Sequence, residues 1–191
     1  MRRLILIRHS SPQIEEEIPA KKWHLSEGGR ARCTLLAQKL ESHPIDRIIS
    51  SLEPKAMETA ELIANALGKP YEAVEGLHEH DRSNVGFLGS AQFTSSVMRF
   101  FEQPNQLVLG SETANQAHER FAGVVADVIQ QYPSENLAIV AHGTVISLFV
   151  ARAAGLEPVP LWKRLGLPSF VVLAMPGPRI VSVVESVEAR R

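Results

Sequence analysis

The chain has 191 residues, of which 45% are hydrophobic and 21% charged, and its formal net charge is -1 at pH 7. This length predicts one domain over residues 1–191, the hydrophobic share excludes a disordered chain, and the near-neutral charge excludes a general nucleic-acid binder. The single cysteine, Cys33, excludes an intramolecular disulfide, and we interpret it as a small buried hydrophobe of a protein kept in a reducing cytoplasm.

The N-terminal stretch MRRLILIRHS places arginines before an apolar run, as a signal peptide does. The run from Leu4 to Ile7 is far too short for that role, and Arg8 and His9 interrupt it. No window of the sequence approaches the roughly 20 apolar residues that a bilayer-spanning helix needs. We therefore expect a soluble, cytoplasmic protein without a membrane partner.

Short apolar runs alternate with longer amphipathic ones along the chain, a pattern typical of an α/β fold. The prediction is a three-layer sandwich whose mostly parallel sheet has helices on both faces. Predicted strands are 4–7, 46–50, a short one within 71–77, 137–141, and a C-terminal hairpin of 170–175 and 179–184 joined through PGP. Predicted helices are 26–42 capped by Ser26, 54–68 stopping at Gly68, 90–103 with Ser90 as candidate cap, about 111–131, and 144–155 ending at Gly155.

Two histidines directly follow two buried strands. His9 comes after LILI and Arg8, and His142 comes after LAIVA. In open α/β sheets, ligand sites lie beyond the carboxyl ends of the strands, so both histidines should face one crevice. A third strand ends in Ser50 and Ser51 and is followed by Lys55 at a helix start, where amides and the helix dipole favour an anion. An arginine at a strand end also suits bidentate recognition of phosphate.

These residues resemble the histidine phosphatase superfamily, which includes the cofactor-dependent phosphoglycerate mutases. Arg8-His9 looks like the Arg-His-Gly signature of that family. Three further stretches follow in the family's order: SSLEPKAMETAELIA, SETANQAHERF and IVAHGTVI. LSEGGRARCTLLAQKL is similar to its first helix.

The resemblance implies a role for each matching residue. His9 would be the nucleophile that forms phosphohistidine, Arg8 and Lys55 would bind the phosphate oxygens, and His142 would donate to the transferring group. Glu79 falls where the family has its proton donor. No cofactor is implied. Next to the two histidines, Ser10, Ser11 and Gly143 are candidate substrate contacts.

The chemistry of these side chains supports the same interpretation. A neutral imidazole is a nucleophile near pH 7 and needs no metal. A protonated Glu79 could give its proton to the leaving alkoxide if burial raises its pKa, whereas crowding by Arg8 and Lys55 would lower that pKa. Asp81 is the alternative acid.

Other interpretations of the same segments stay open. His78, His80 and Asp81 permit a metal site, although adjacent residues point in different directions. Glu112 and Arg120 are interpreted as a helix-start charge and a structural arginine.

Three departures from the family pattern bear on the activity. Ser10 replaces the usual glycine, Lys55 replaces an arginine and loses its planar fork, and the loop SPQIEEE replaces the mutase arrangement. With the short chain leaving little sequence for a covering lid, hydrolysis is favoured over phosphoglycerate mutase-type transfer. A non-catalytic phosphate-binding module is the other alternative. The expected partner is a small phosphorylated metabolite or a phosphoprotein, and the sequence fixes no oligomeric state.

Overall fold

The computed structural model describes residues 2–188. Its strands are β1 (Arg3–Arg8), β2 (Arg47–Ser51), β3 (Tyr71–Val74), β4 (Leu137–Ala141), β5 (Ser169–Ala174) and β6 (Arg179–Val184). Its helices are α1 (Glu27–Leu40), α2 (Pro54–Leu67), α3 (Ser90–Glu102), α4 (Ala114–Gln131), α5 (Gly143–Ala154) and α6 (Pro158–Arg164). One turn of 3₁₀ helix spans Ala20–Lys22.

The strands form one sheet in the order β3-β2-β4-β1-β5-β6. The first four of these are parallel to one another, β5 is antiparallel to β1, and β6 is antiparallel to β5. The parallel strands therefore end at one edge, where β1, β2 and β4 deliver their following residues together.

Alternation along the central strands divides the core into two layers. Leu4 and Leu6 of β1 pack on one face, against α3, α4, α5 and α6, while Ile5 and Ile7 pack on the other, against α1 and α2. All four side chains are almost completely buried. Because both faces are covered, the strand is apolar at every position, and the predicted three-layer sandwich is confirmed.

Helix ends agree with the sequence where a cap is strong. The Ser26 side chain accepts from the Gly29 amide at 3.0 Å, as predicted. The prediction of Ser90 as a cap is wrong, because Gly89 is the N-cap and Ser90 is the first helical residue. The helix predicted from about 111 begins at Ala114, because Thr113 forms a capping box there. Sequence reasoning missed α6 and the 3₁₀ turn, which are short.

Within residues 2–188, no helix combines the length and the apolar character that crossing a bilayer requires.

Cys33 lies in the layer between α1 and the sheet and is 1% exposed. Burial raises the pKa of its thiol to about 11. We predict that the native protein does not react with a thiol reagent at neutral pH, because reaction needs an exposed thiolate. Titration with Ellman's reagent should give no rapid reaction without denaturant and one thiol per chain with it. Rapid labelling of the native protein would contradict the packing.

Candidate active site

The site is built at the carboxyl edge of the parallel strands. Arg8 pairs in register with Ala141, and the His9 amide donates to the Ala141 carbonyl at 3.0 Å. This bond continues the strand pairing by one residue and sets His9 beside His142, with ring centroids 5.1 Å apart. The two strand-end histidines predicted to share a crevice do so.

His9 is held as a neutral imidazole with a defined tautomer. Its ring is 6% exposed, and its Nδ1 lies 2.7 Å from the Ser10 carbonyl oxygen. A carbonyl only accepts, so Nδ1 carries the hydrogen and Nε2 keeps its lone pair. Burial, together with His142, Lys55 and Arg8, holds the pKa of His9 well below its ordinary value. The free nitrogen is therefore available as a nucleophile at neutral pH.

His142 is fully buried, and its Nε2 lies 3.0 Å from the Ser51 hydroxyl. That hydroxyl already accepts from the Glu53 amide, so its own hydrogen is available to Nε2. In this arrangement the hydrogen of His142 is on Nδ1, which has no partner among the described residues. Burial and the Lys55 charge hold the pKa of His142 well below its ordinary value. The ring therefore offers a neutral hydrogen-bond donor.

Arg8 packs against the start of α5. Its Nη1 donates to the Leu165 carbonyl, and its Nε is buried without a partner in the described part of the chain. A Cβ on Gly143 would come within 3.0 Å of the Arg8 Nε and Cζ atoms. Glycine at 143 therefore lets the guanidinium lie against the helix N-terminus.

Lys55 and Glu53 form a buried ion pair inside the site. The Lys55 Nζ lies 2.5 Å from a Glu53 carboxylate oxygen and donates to the Ala20 carbonyl at 2.6 Å. The other Glu53 oxygen accepts from the Glu79 amide at 2.9 Å and lies 3.6 Å from the Nε2 of His142. Glu53 thus offsets the charge of Lys55 and fixes the backbone that carries Glu79.

Glu79 places its carboxylate over the N-terminus of α5. It accepts from the amides of Thr144 at 3.1 Å, Val145 at 3.3 Å and His80 at 2.9 Å. Burial alone would raise the pKa of Glu79, but the Arg82 charge and the amides of His80 and Thr144 outweigh it and lower that pKa. The sequence left the direction of the shift open, and the charge that matters most is that of Arg82 rather than Arg8 or Lys55.

The loop that carries Glu79 is clamped by Arg120, as its interpreted structural role requires. The Arg120 Nη1 donates to the carbonyls of Gly76 at 2.7 Å and His78 at 3.0 Å, and its Nη2 lies 2.5 Å from a Glu112 oxygen. The same Glu112 oxygen accepts from the Asp81 amide at 2.9 Å. The pair thereby fixes the loop from both sides.

The hydroxyls of Ser10 and Ser11 point away from the other candidate residues. The Ser10 hydroxyl donates to the Gly29 carbonyl at 2.7 Å, and that of Ser11 accepts from Arg32 at 2.7 Å. A Cβ on Gly29 would lie 2.1 Å from the Ser11 carbonyl oxygen, so glycine allows α1 to approach this loop. The Ser10 and Ser11 hydroxyls are therefore occupied by the Gly29 carbonyl and the Arg32 side chain.

The three candidate metal ligands do not converge. His80 is 2% exposed and stacks on Phe100 with ring centroids 4.0 Å apart. The Asp81 carboxylate accepts from the amide and hydroxyl of Ser83; partial burial raises its pKa, but these bonds outweigh that effect and hold the pKa at about 2. Among residues 2–188, no group of three or more His, Cys, Asp or Glu side chains is placed to hold a metal ion.

Sequence reasoning missed two charged members of the site, Glu53 and Arg82. The Arg82 guanidinium lies over the Phe93 ring, 4.7 Å from its centroid, and one of its Nη atoms is buried without a partner among the described residues. Both residues lie close in sequence to predicted site residues: Glu53 is two positions before Lys55, and Arg82 is three positions after Glu79. Proximity in sequence was the only signal for them.

A cavity of about 680 Å³ opens at this site. We call it the site cavity; its floor is formed by Arg8, His9, Lys55, Glu79 and His142. Its walls come from residues 12–23, residues 82–93, Trp162 of α6 and Leu167. The floor therefore combines two cations, a carboxylate and two neutral imidazoles, a set suited to binding and attacking a phosphate group.

Comparisons with known proteins identify the family of the chain. Residues 4–183 match the model of the histidine phosphatase superfamily, branch 1. The chain is 29% identical over 113 residues to PhoE, an uncharacterized phosphatase of Bacillus subtilis; the match covers 59% of this chain and 55%, about half, of that relative. It is 24% identical over 178 residues to phosphoserine phosphatase 1 of Hydrogenobacter thermophilus, covering 85% of this chain and 81% of that one.

The fold is that of a known structure. A phosphoserine phosphatase of Entamoeba histolytica, solved in complex with 3-phosphoglyceric acid, superposes with a TM-score of 0.77. The alignment covers 96% of this chain and 97% of that one at 21% sequence identity.

The buried pair of Glu53 and Lys55 gives a prediction about anion binding. Glu53→Gln keeps an acceptor for the Glu79 amide but removes a negative charge beside the anion site, so inorganic phosphate should bind about tenfold more tightly. Isothermal titration calorimetry measures the change. Glu58→Gln is the matched control, because Glu58 lies in α2, the helix for which Glu53 is the N-cap, but pairs with Arg30 outside the site cavity. Unchanged or weaker phosphate binding in Glu53→Gln would contradict the offsetting role of Glu53.

Proposed function

The chain belongs to branch 1 of the histidine phosphatase superfamily, and from that premise we propose that it is a metal-independent phosphomonoester hydrolase acting as one domain over residues 1–191. The observation that carries the proposal is the His9 ring. Its Nδ1 is bound to a carbonyl, and the ring lines a cavity beside Arg8 and Lys55. A fixed neutral nucleophile next to two cations is what phosphoryl transfer requires.

In the first step, the Nε2 lone pair of His9 attacks phosphorus and the bond from phosphorus to the ester oxygen breaks. Arg8 and Lys55 bind the phosphoryl oxygens, and the Nδ1–H of His142 donates to the same group. The ring of His9 becomes positively charged as the P–N bond forms. Its Nδ1–H bond to the Ser10 carbonyl stabilises that charge.

Glu79 is proposed to supply the proton that the leaving alkoxide takes up. Its lowered pKa means that it is ionised in the free protein. A bound phosphate group brings negative charge beside the carboxylate, which raises the pKa and favours uptake of a proton. The substrate therefore enters with one proton shared between its phosphate and Glu79.

In the second step, water attacks the phosphohistidine and the P–N bond breaks. Glu79, now ionised, takes a proton from that water and passes it to the departing phosphate, which restores the neutral His9 and the Glu79 carboxylate. Hydrolysis is favoured over transfer to a second substrate because wall residues of the site cavity lie open to solvent. Ile14 is 55% exposed and Phe87 is 45% exposed.

The substrate is proposed to be a small phosphorylated metabolite or a phosphoprotein. Relatives named as phosphoserine phosphatases support phosphomonoesters as the class, and one of these was solved with 3-phosphoglyceric acid. The walls of the site cavity bear on the choice among phosphomonoesters.

Replacing the nucleophile tests the proposal directly. His9→Ala should lower turnover of a phosphomonoester by at least about a thousandfold, and EDTA should leave wild-type turnover unchanged because no step uses a metal. The measurement is release of inorganic phosphate, with His24→Ala as the matched control because His24 is exposed and outside the site cavity. Full turnover by His9→Ala, or loss of wild-type turnover in EDTA, would sink the mechanism. A base-stable, acid-labile phosphohistidine at His9 is the expected intermediate.

The pKa shifts predict an acidic pH optimum. His9 attacks only when neutral, so kcat/KM falls on the acid side only as pH drops through its depressed pKa. On the alkaline side, kcat/KM falls once the shared proton is lost, above the second pKa of the phosphate at about 6. Initial rates between about pH 4 and about pH 8.5 measure both limbs. An alkaline optimum would contradict this assignment.

Substrates whose leaving groups differ in their need for a proton test the role of Glu79 as proton donor. Glu79→Gln should lower turnover of an alkyl phosphate about a hundredfold or more. p-Nitrophenyl phosphate, whose phenolate leaves without a proton, should lose less than about tenfold in the phosphorylation step. Burst and steady-state kinetics give both numbers, and equal losses on the two substrates would remove Glu79 from the role of proton donor.

A further inference from the structure

The walls of the site cavity are apolar above its charged floor. From residues 12–23 come Ile14, Ile18 and Trp23; residues 82–93 add Phe87 and Phe93. Ile14 and Phe87 are large apolar side chains left about half exposed at this cavity. Exposed apolar groups collected around one opening mark a surface that binds an apolar partner.

The volume of the cavity is larger than a phosphate group needs. Ligand pockets of about 300 to 1,000 Å³ bury most of the surface of a drug-sized molecule. At about 680 Å³, the site cavity holds a phosphate together with a bulky leaving group. A three-carbon acid such as that of phosphoserine would leave most of the apolar wall in water.

Two polar side chains of the walls, Trp23 and Arg82, contact other parts of the protein. The Trp23 Nε1 donates to the carbonyls of Glu15 at 2.9 Å and Ile18 at 3.2 Å. The Arg82 guanidinium lies over the Phe93 ring. The wall offers mainly aromatic and aliphatic surface to a leaving group.

Charge on the side of the cavity formed by residues 12–23 disfavours a carboxylate on the part of the substrate that extends there. Among the described residues that line it, the cations are Arg8 and Lys55 on the floor and Arg82, whose charge lowers the pKa of Glu79. Glu16 and Glu17 line the side formed by residues 12–23. A leaving group that extends towards them meets negative charge.

On these grounds, and resting on the proposed phosphomonoesterase function, we propose that the substrate is a phosphomonoester of a bulky, uncharged, apolar or aromatic alcohol. The phosphate binds on the charged floor, and the alcohol part packs against Phe87, Phe93, Trp162 and the apolar residues of 12–23. Apolar contact supplies the selectivity, since each CH₂ group removed from water contributes about a fourfold gain in binding.

A series of straight-chain alkyl phosphates tests the inference without changing the leaving-group chemistry. The value of kcat/KM should rise about fiftyfold from methyl to butyl phosphate and rise further for hexyl and 2-phenylethyl phosphate. Hexyl phosphate should exceed O-phosphoserine and 3-phosphoglycerate. A flat or falling series, or a preference for the two carboxylate-bearing esters, would overturn the inference while hydrolysis itself upholds the proposed function. If no ester is hydrolysed and no phosphohistidine forms, the proposed function fails and the inference with it.

Substitutions at the exposed wall residues Ile14 and Phe87 test whether these walls cause the preference for longer alkyl phosphates. Phe87→Ser should lower the ratio of kcat/KM for hexyl phosphate to that for methyl phosphate about tenfold, and Ile14→Ser should lower it in the same direction. Leu107→Ser is the matched control. Like Ile14, Leu107 is an exposed aliphatic side chain (63% exposed), but it does not line the cavity. These positions are solvent-exposed, so folding is preserved, which circular dichroism checks. An unchanged ratio in Phe87→Ser and Ile14→Ser would overturn the assignment of these walls.

Discussion

Strands β1 and β4 pair in a parallel register that sets Arg8 level with Ala141, and the His9 amide extends that pairing beyond the strand. Both strands are buried on both faces, so apolar packing on each side fixes which residue stands opposite which. A slip of one residue would reverse the face of every side chain and send Ile5 and Ile7 into the wrong layer. The distance between the His9 and His142 imidazoles is therefore set by the packing of the core, which fixes the register of the two strands.

Around the two neutral imidazoles, the site holds three cations, Arg8, Lys55 and Arg82, against two carboxylates, Glu53 and Glu79. The two carboxylates are held in place, since each accepts a hydrogen bond from at least one backbone amide. A pocket of this balance binds an anion through directed hydrogen bonds more than through excess positive charge. In the proposed hydrolase, the two carboxylates would also weaken the binding of the product, inorganic phosphate, and so favour its release.

How much of this could be predicted depended on how local each signal is. Apolar runs and the residues that follow them located β1, β2 and β4 and hence His9, His142 and Lys55. Glu53 lies between Leu52 and Pro54 and reads as a solvated charge, because its burial depends on the Ala20 and Glu79 loops that meet it in space. The hydroxyls of Ser10 and Ser11 were placed at the site because of their neighbours, but a side chain's direction after a strand depends on which helix approaches. The direction of the pKa shift of Glu79 required Arg82, and nothing local to Arg82 reveals that it stacks on Phe93.

Ser10, the departure from the family pattern that lies nearest to the proposed nucleophile His9, has a hydrogen-bond partner for its hydroxyl, its amide and its carbonyl. Its hydroxyl donates to the Gly29 carbonyl of α1, its amide donates to the Thr59 hydroxyl of α2 at 3.0 Å, and its carbonyl accepts from His9. The peptide that orients the imidazole is thus anchored to two helices rather than to one loop. The His9 ring can turn only if the layer made by α1 and α2 deforms. This anchoring lowers the free energy of reorganisation between the free imidazole and the proposed phosphohistidine. In the proposed mechanism, the packing of this two-helix layer would therefore keep the His9 Nε2 aimed at the phosphorus atom.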